Sequence, residues 1–249
     1  MRFLLLISRQ LILIFSTIIV GGSVLAQEYQ AFETYKSQII GGVNLNTNAG
    51  LIGGIMVRYS RHIVRNKYHY FGVEITNVKH PKEITGVTSA GNLYTPYKLN
   101  AFIPIRLQYG REFLVFQPAE EEGVQVNLII AGGLSFGILK PYTIEYDYNG
   151  VSKIEQFDPD QTKGIIGRGP IFSGFDKAKI IPGINLKASL SIEFAKFRGN
   201  VTGIEGGFLV ESYTTQIKMM AISKNIDQQP TTQNTFTSIF LNIFFGFRN

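Results

Sequence analysis

The sequence predicts an all-β protein, an eight-stranded antiparallel up-and-down β-barrel that crosses a membrane. Three observations point there. Stretches of strict apolar/polar alternation recur along the chain, the connections between them sort by length according to their order, and Cys and Trp are both absent. The clearest stretch is 184–194, INLKASLSIEF, with apolar residues at the even positions and polar ones at the odd positions. Successive side chains leave a pleated strand on opposite sides, so this is a strand with one apolar and one polar face. A soluble sheet buries the aliphatic face in a core. A membrane barrel turns it to hydrocarbon and keeps the polar face inside.

The chain opens with Arg2 and Arg9, an apolar run from Leu11 to Val20, and the small-residue site Val24-Leu25-Ala26. This is the pattern of a secretory leader spanning 1–26, cut after Ala26. Gly21, Gly22 and Ser23 end the run too early for a membrane helix, which needs about 20 apolar residues, and no second such run follows. Without a cysteine near the cut there is no acylation site, and without any cysteine an exported chain has no disulfide staples. Residues 27–249 read as one domain with no linker or repeat. The formal charge is +6; of 24 basic residues the leader holds Arg2 and Arg9, so 22 remain against 18 acids, or +4. That excess is spread along the chain, with no basic run, and nucleic acid is excluded as a partner. The absence of Trp also removes the Gly-x-Trp usual in the first strand of soluble lipocalin-type barrels.

Alternation places the strands at 38–46, 51–60, 68–77, 99–110, 124–137, 184–194, 203–213 and 236–247. Most have the roughly 9–11 residues that a tilted strand needs to cross a bilayer. The second sets Ile55, Val57 and Tyr59 against Arg58, and the fourth sets Ile103, Ile105, Leu107 and Tyr109 against Arg106 and Gln108. The fifth opposes Val126, Leu128 and Ile130 to Gln125 and Asn127, and the seventh opposes Ile204, Phe208 and Val210 to Glu205 and Glu211. Every strand thus offers one face to lipid.

The even connections, 61–67, 111–123 and 195–202, are short, and the middle one shortens further if its strand runs on through Phe113 to Phe116. Three of the four odd connections, 78–98, 138–183 and 214–235, are long. Short turns at one mouth and long loops at the other, with both termini on the short side, is the topology of an even-stranded membrane barrel. Tyr59, Tyr68, Tyr109, Phe194, Phe245 and Phe247 collect at the short-turn rim as an interfacial aromatic girdle.

The last segment, FTSIFLNIFFGFRN, resembles the C-terminal strand of bacterial outer-membrane β-barrel proteins. Ile239, Leu241, Ile243, Phe245 and Phe247 match its alternating apolar residues ending in an aromatic; Arg248 and Asn249 follow where the aromatic is usually terminal. As architecture the resemblance covers the whole mature chain and is nearest to the small OmpA/OmpX-like barrels. It implies a bacterial outer-membrane location with periplasmic termini, recognition of the last strand by the barrel-assembly machinery, and contact with outer-membrane lipid and lipopolysaccharide. A surface or envelope protein partner engaged by the external loops fits the same picture. It implies no enzymatic activity and no cofactor.

In this facing Lys187, Ser189, Ser191 and Glu193 point inward while Leu186, Leu190 and Ile192 meet lipid. Arg58, Glu74, Arg106, Lys187, Glu193, Glu205 and Glu211 all fall on inward faces. Eight strands leave an interior just wide enough for side chains. Charges confined there must pair, because a lone buried charge is costly. A charged plug is therefore expected, rather than a proton or ion path.

Other candidates are weaker. A lipid A-modifying enzyme requires His, Ser and an acid together near the outer leaflet, and only His80, Glu83 and Ser89 qualify; Pro81 and Gly86 mark their segment as turn-rich. His62 and His69 lie near the opposite rim. In the connection 138–183, Asn149-Gly150 signals a hairpin that extends the fifth strand above the membrane. Asp158 and Asp160 lack the later ligands of a calcium loop. Gly164, Gly167 and Gly169 lack the Gly-Lys-Ser/Thr ending of a phosphate loop. Glu120, Glu121 and Glu122 read as a solvated turn, so no metal is expected. A soluble exported barrel carrying an apolar ligand requires the opposite facing of every strand.

Overall fold

A computed structural model describes residues 35–89, 91–117, 123–159, 161, 163–197, 199–221 and 232–249. Thirteen strands follow in chain order. Eight form the wall: β1 (Ser37–Asn46), β2 (Gly50–Val64), β3 (Lys67–Thr76), β6 (Asn100–Phe116), β7 (Val124–Pro141), β11 (Lys179–Phe197), β12 (Asn200–Lys218) and β13 (Thr232–Arg248). Five short ones lie in the connections: β4 (Gly86–Val87), β5 (Leu93–Tyr94), β8 (Thr143–Tyr148), β9 (Val151–Gln156) and β10 (Ile165–Arg168). Each wall strand pairs antiparallel with its neighbour in sequence, and β1 closes on β13 with Gln38 opposite Arg248 and Asn46 opposite Phe240. The ring is closed, so no edge strand is left open. The segment 1–26, read from the sequence as a leader, lies outside the described residues.

The facing follows the sequence pattern. Along β11, Asn185, Lys187, Ser189, Ser191 and Glu193 are buried, while Leu186 is 68% and Leu190 51% exposed. Ile55, Val57, Leu107, Ile130, Phe208 and Ile243 are likewise exposed on the outer wall. With aliphatics outside and Arg, Lys and Glu inside, the barrel has the polarity of a transmembrane barrel, and the soluble reading with reversed facing is overturned. No helix among the described residues is long and apolar enough to cross a membrane.

The wall strands outrun their expected limits. β2 continues to Val64 and β7 to Pro141, β11 begins at Lys179, and β6 runs on to Phe116, the longer of the two limits its sequence allows. At two of these ends an outward arginine, Arg61 or Arg111, interrupts the apolar side of the alternation. Pro182 and Gly183 also look like strand breakers. In the structure Gly183 sits opposite Tyr213, and a Cβ there would lie 2.7 Å from the Tyr213 ring, so the glycine makes room for an inward aromatic. A Cβ on Gly137 would lie 2.4 Å from Phe102. These two gaps admit an aromatic plug at the long-loop mouth, where Phe102 packs edge-on to Tyr213 at 5.0 Å and stacks on Phe236 at 5.5 Å.

The girdle needs one correction. Tyr59, Phe71 and Tyr109 form an outward cluster near the short-turn rim, with Phe71 and Tyr109 rings 5.1 Å apart, and Phe194, Phe245 and Phe247 are exposed as well. Tyr68 is fully buried and stacks on Tyr35 at 4.3 Å inside the barrel. It shares the inward parity of Tyr70 and Glu74, and its place near the strand end hid this.

Above the long-loop mouth, Asn149-Gly150 makes the expected hairpin turn. Both residues have positive φ (56° and 87°), as a type I′ turn requires, and join β8 to β9. The hairpin belongs to a separate sheet of order β10-β8-β9, not to a simple extension of β7. Tyr142, Ile144, Tyr146 and Phe157 form its own small core. The β4–β5 hairpin is tied to this cap: Thr88 and Asn92 donate to the Ile166 carbonyl, and the Thr95 amide donates to the Tyr142 hydroxyl.

Candidate functional site

Every second residue of a wall strand points inward, so charges on different strands meet across the lumen at heights set by register. Glu74 lies opposite Arg106 on the neighbouring strand, while Glu205, on β12, lies across the ring from β2 and its Arg58. The result is a chain of alternating sign along the barrel axis. At the upper end Glu211 holds Arg106 through two contacts, Nε to Oε2 at 2.9 Å and Nη2 to Oε1 at 2.8 Å. Arg106 reaches Glu74 at 3.4 Å, and the other oxygen of Glu74 accepts from Lys187 at 2.7 Å. Lys187 also meets Glu205 at 2.9 Å, which Arg58 approaches at 3.6 Å. Arg58 contacts Glu193 at 3.2 Å, and Glu193 is held at the lower end by Arg248.

Neutral side chains take up part of the remaining hydrogen-bonding capacity. Ser189 donates to Glu205 at 2.7 Å, and Asn242 donates to its other oxygen at 3.3 Å while accepting from Asn44 at 2.7 Å. Lys187 donates to the Tyr70 hydroxyl, which donates on to Gln108. The ammonium of Lys187 lies 4.7 Å from the centroid of Phe240, and the guanidinium of Arg58 lies 5.1 Å from that of Phe244. Oxygens and rings thus surround the Lys187 and Arg58 cations in the lumen. The seven residues singled out in the sequence all sit in this one network.

Two members were not visible in the sequence. Glu112 is fully buried, accepts from Ser60 and from Asn127 at 2.9 Å, and lies 4.0 Å from Arg58. It falls in 111–123, which reads as a connection because Arg111 beside it removes the alternation. Arg248 follows the last aromatic, yet it turns into the lumen, meets Glu193 and lies 4.1 Å from the centroid of Tyr35. An extension of a strand by one inward residue was the only available signal. The outward residues of the same strand, Ile239, Leu241, Ile243, Phe245 and Phe247, are exposed along β13.

The three histidines make local contacts at the two mouths. Nδ1 of His80 accepts the Lys82 amide at 3.1 Å, Glu83 pairs with Lys98 and accepts from the His80 amide, and Ser89 is exposed on the turn between β4 and β5. Burial and the nearby Lys82 lower the His80 pKa, against a smaller opposing pull from Glu83. His62 and His69 lie at the opposite mouth, on the Arg65 carbonyl and the Tyr109 hydroxyl. No group of three or more His, Cys, Asp or Glu among the described residues could hold a metal ion. Glu120, Glu121, Glu122 and Asp160 lie outside the described residues.

No family model matches the chain, and no curated protein matches it. Among solved structures it is similar to Neisserial surface protein A, with 10% identity and a TM-score of 0.39 over 86% of this chain and 96% of that one. It is also similar to Ail, the attachment invasion locus protein of Yersinia pestis, solved with the heparin analogue sucrose octasulfate. There the identity is 12% and the TM-score 0.38, over 86% of this chain and 97% of the other. The fold assignment rests on the closed hydrogen-bonded ring itself.

Proposed function

We propose that this protein is a bacterial outer-membrane barrel that neither conducts nor catalyses, and that it acts by displaying its folded cap to a surface or envelope partner. The observation that carries this reading is the continuous chain of ion pairs from Glu211 to Arg248, capped by the Phe102–Tyr213–Phe236 plug. A lumen filled with mutually neutralising side chains serves the barrel as a rigid core. The ordered sheet of β8, β9 and β10 stands at the mouth opposite the termini, which in a barrel with periplasmic termini is the cell exterior. Val151 and Ile154 are exposed there on β9. The segment 1–26 serves as the export leader. The outward residues of β13 ending in Phe247 serve as the signal read by the barrel-assembly machinery. No cofactor is required.

Photo-crosslinking on intact cells tests display directly. A photoreactive residue at Val151 or Ile154 should give protein adducts of discrete mass, whereas one at Leu190 should give only lipid adducts. Purified protein in planar bilayers should show no stepwise current above the bare lipid. Stepwise current, or an absence of cap adducts, overturns the reading.

A further inference from the structure

Just under the cap, the outer wall carries a groove of about 540 Å³, inside the roughly 300–1,000 Å³ span of small-ligand sites. Its floor is made by Ile55, Ile75 and Ile103 from the adjacent strands β2, β3 and β6. All three are outward residues on the lipid-facing wall. Its side is the segment that leads from β10 back to β11, where Phe172 is 84% exposed and lies 6.4 Å from the ring of Phe175. Packing within the chain does not account for so exposed a phenylalanine, whereas a position at the membrane edge does.

The upper rim is cationic. Lys98, Lys140 and Arg168 come from three separate segments and line the same groove; Lys98 and Lys140 are buried, and Glu83 pairs with Lys98. Lys140 also fixes the shape of the site. Its ammonium donates to the carbonyls of Ile171 and Ser173 and lies 5.0 Å from the centroid of Phe175, so the cation facing the groove also pins the aromatic segment beside it. An apolar floor continuous with the hydrocarbon-facing wall, under a rim of three cations, complements an amphiphile with acyl chains and a phosphorylated headgroup.

We propose that the groove holds one molecule of lipid A, the phosphorylated glycolipid of the outer leaflet. An acyl chain lies over Ile55, Ile75 and Ile103, and a phosphate sits against Lys98, Lys140 and Arg168. The inference rests on the outer-membrane reading above, because the cap end must face the outer leaflet for this lipid to reach it.

The test uses the full mature chain in nanodiscs of phosphatidylcholine, with lipid retention read by native mass spectrometry. One lipid A per barrel should be retained. Lipid A stripped of its phosphates should be held at least about tenfold more weakly, roughly the loss of one charge-assisted contact. Arg168→Glu should weaken lipid A by a similar factor, and Phe172→Ser should weaken both lipids alike. Arg168 is exposed, so its reversal leaves the barrel interior untouched. Equal retention of the dephosphorylated lipid, or unchanged retention by Arg168→Glu, overturns the proposal. Equal retention of phosphatidylglycerol overturns the assignment to lipid A. Heat-modifiable gel mobility and bilayer current on the same samples separate the two readings. A closed, inserted barrel without lipid discrimination sinks only the lipid site, whereas a conducting or uninserted one sinks the outer-membrane display reading as well.

Discussion

Arg106 and Glu211 meet as a two-pronged pair across the lumen, Nε and Nη2 on the guanidinium facing Oε2 and Oε1 on the carboxylate at 2.9 and 2.8 Å. This planar match holds both side chains in one orientation and locks β6 to β12 through the interior rather than through the wall. The pair is also unevenly dependent on its surroundings. Glu74 keeps Lys187 if Arg106 is lost, whereas among the described residues Glu211 keeps only the Tyr213 hydroxyl at 2.8 Å.

Arg106→Met should therefore destabilise the barrel by about 3–5 kcal/mol, mainly through the carboxylate left unpaired on Glu211. Adding Glu211→Met should recover most of that loss, and adding Glu74→Met should recover much less. Urea unfolding in liposomes measures the three single and the two double substitutions. If both double substitutions equal the sums of their singles, the charges act independently and the network has no cooperative role.

Leu190 and Ser189 are neighbours with opposite surroundings, 51% exposed on the outer wall and buried in the lumen. Leu190→Arg should cost on the order of 2–4 kcal/mol at the bilayer midplane. Cysteines placed singly at 190 and 192 in liposomes should resist a water-soluble thiol reagent. Ready labelling of both would place this face in water and end the membrane reading.

The wall was legible because period-two alternation is a local property of each strand, and INLKASLSIEF carries it without interruption. The lumen set was legible for the same reason: parity alone puts Lys187 and Glu205 inside. What parity cannot supply is which charges meet, because that depends on register around a closed ring. Glu112 and Arg248 were hidden for a different reason. At strand ends the outer face is no longer in hydrocarbon, so Arg111 is as acceptable outside as Glu112 is inside, and the contrast that marks a strand disappears. The cap was half legible. Asn149-Gly150 announced its hairpin, but β10 returns to β8 only after the irregular stretch that follows Phe157, and no local pattern announces that pairing.

Acidification should loosen the loop that precedes β4. Nδ1 of His80 must be unprotonated to accept the Lys82 amide, and the folded loop lowers its pKa below the ordinary value of about 6.5. A base with a depressed folded pKa binds fewer protons folded than unfolded. Its contribution is therefore complete above about pH 6.5 and is lost as the pH falls toward the folded value. The protection of the Lys82 amide should fall as the pH drops from about 7 to 5, measured against an intrinsic exchange rate that itself slows over that range, with the protection of barrel amides unaffected. His80→Ala should show low protection of the Lys82 amide at both ends of that range. Identical pH profiles in the two proteins would remove His80 from the account.

The cap and the barrel should separate cleanly. Lys179 pairs with Leu139, so β7 and β11 run side by side up to the cap, and a short Asn-Gly turn in place of 142–178 can join them. Closure entropy changes only slowly with loop length, and the deletion removes the Tyr142, Ile144, Tyr146 and Phe157 cluster whole, leaving no half-filled cavity. The shortened protein should insert and keep its heat-modifiable mobility. It should also lose the hydrogen bonds from Thr88 and Asn92 to Ile166 and from Thr95 to Tyr142, so protease should cut within 86–95 faster than in the whole chain. The adducts formed from the cap on intact cells should disappear with the cap itself. A shortened chain that fails to insert would mean that β8, β9 and β10 help assemble the wall, because the removed segment makes no strand pairing within it.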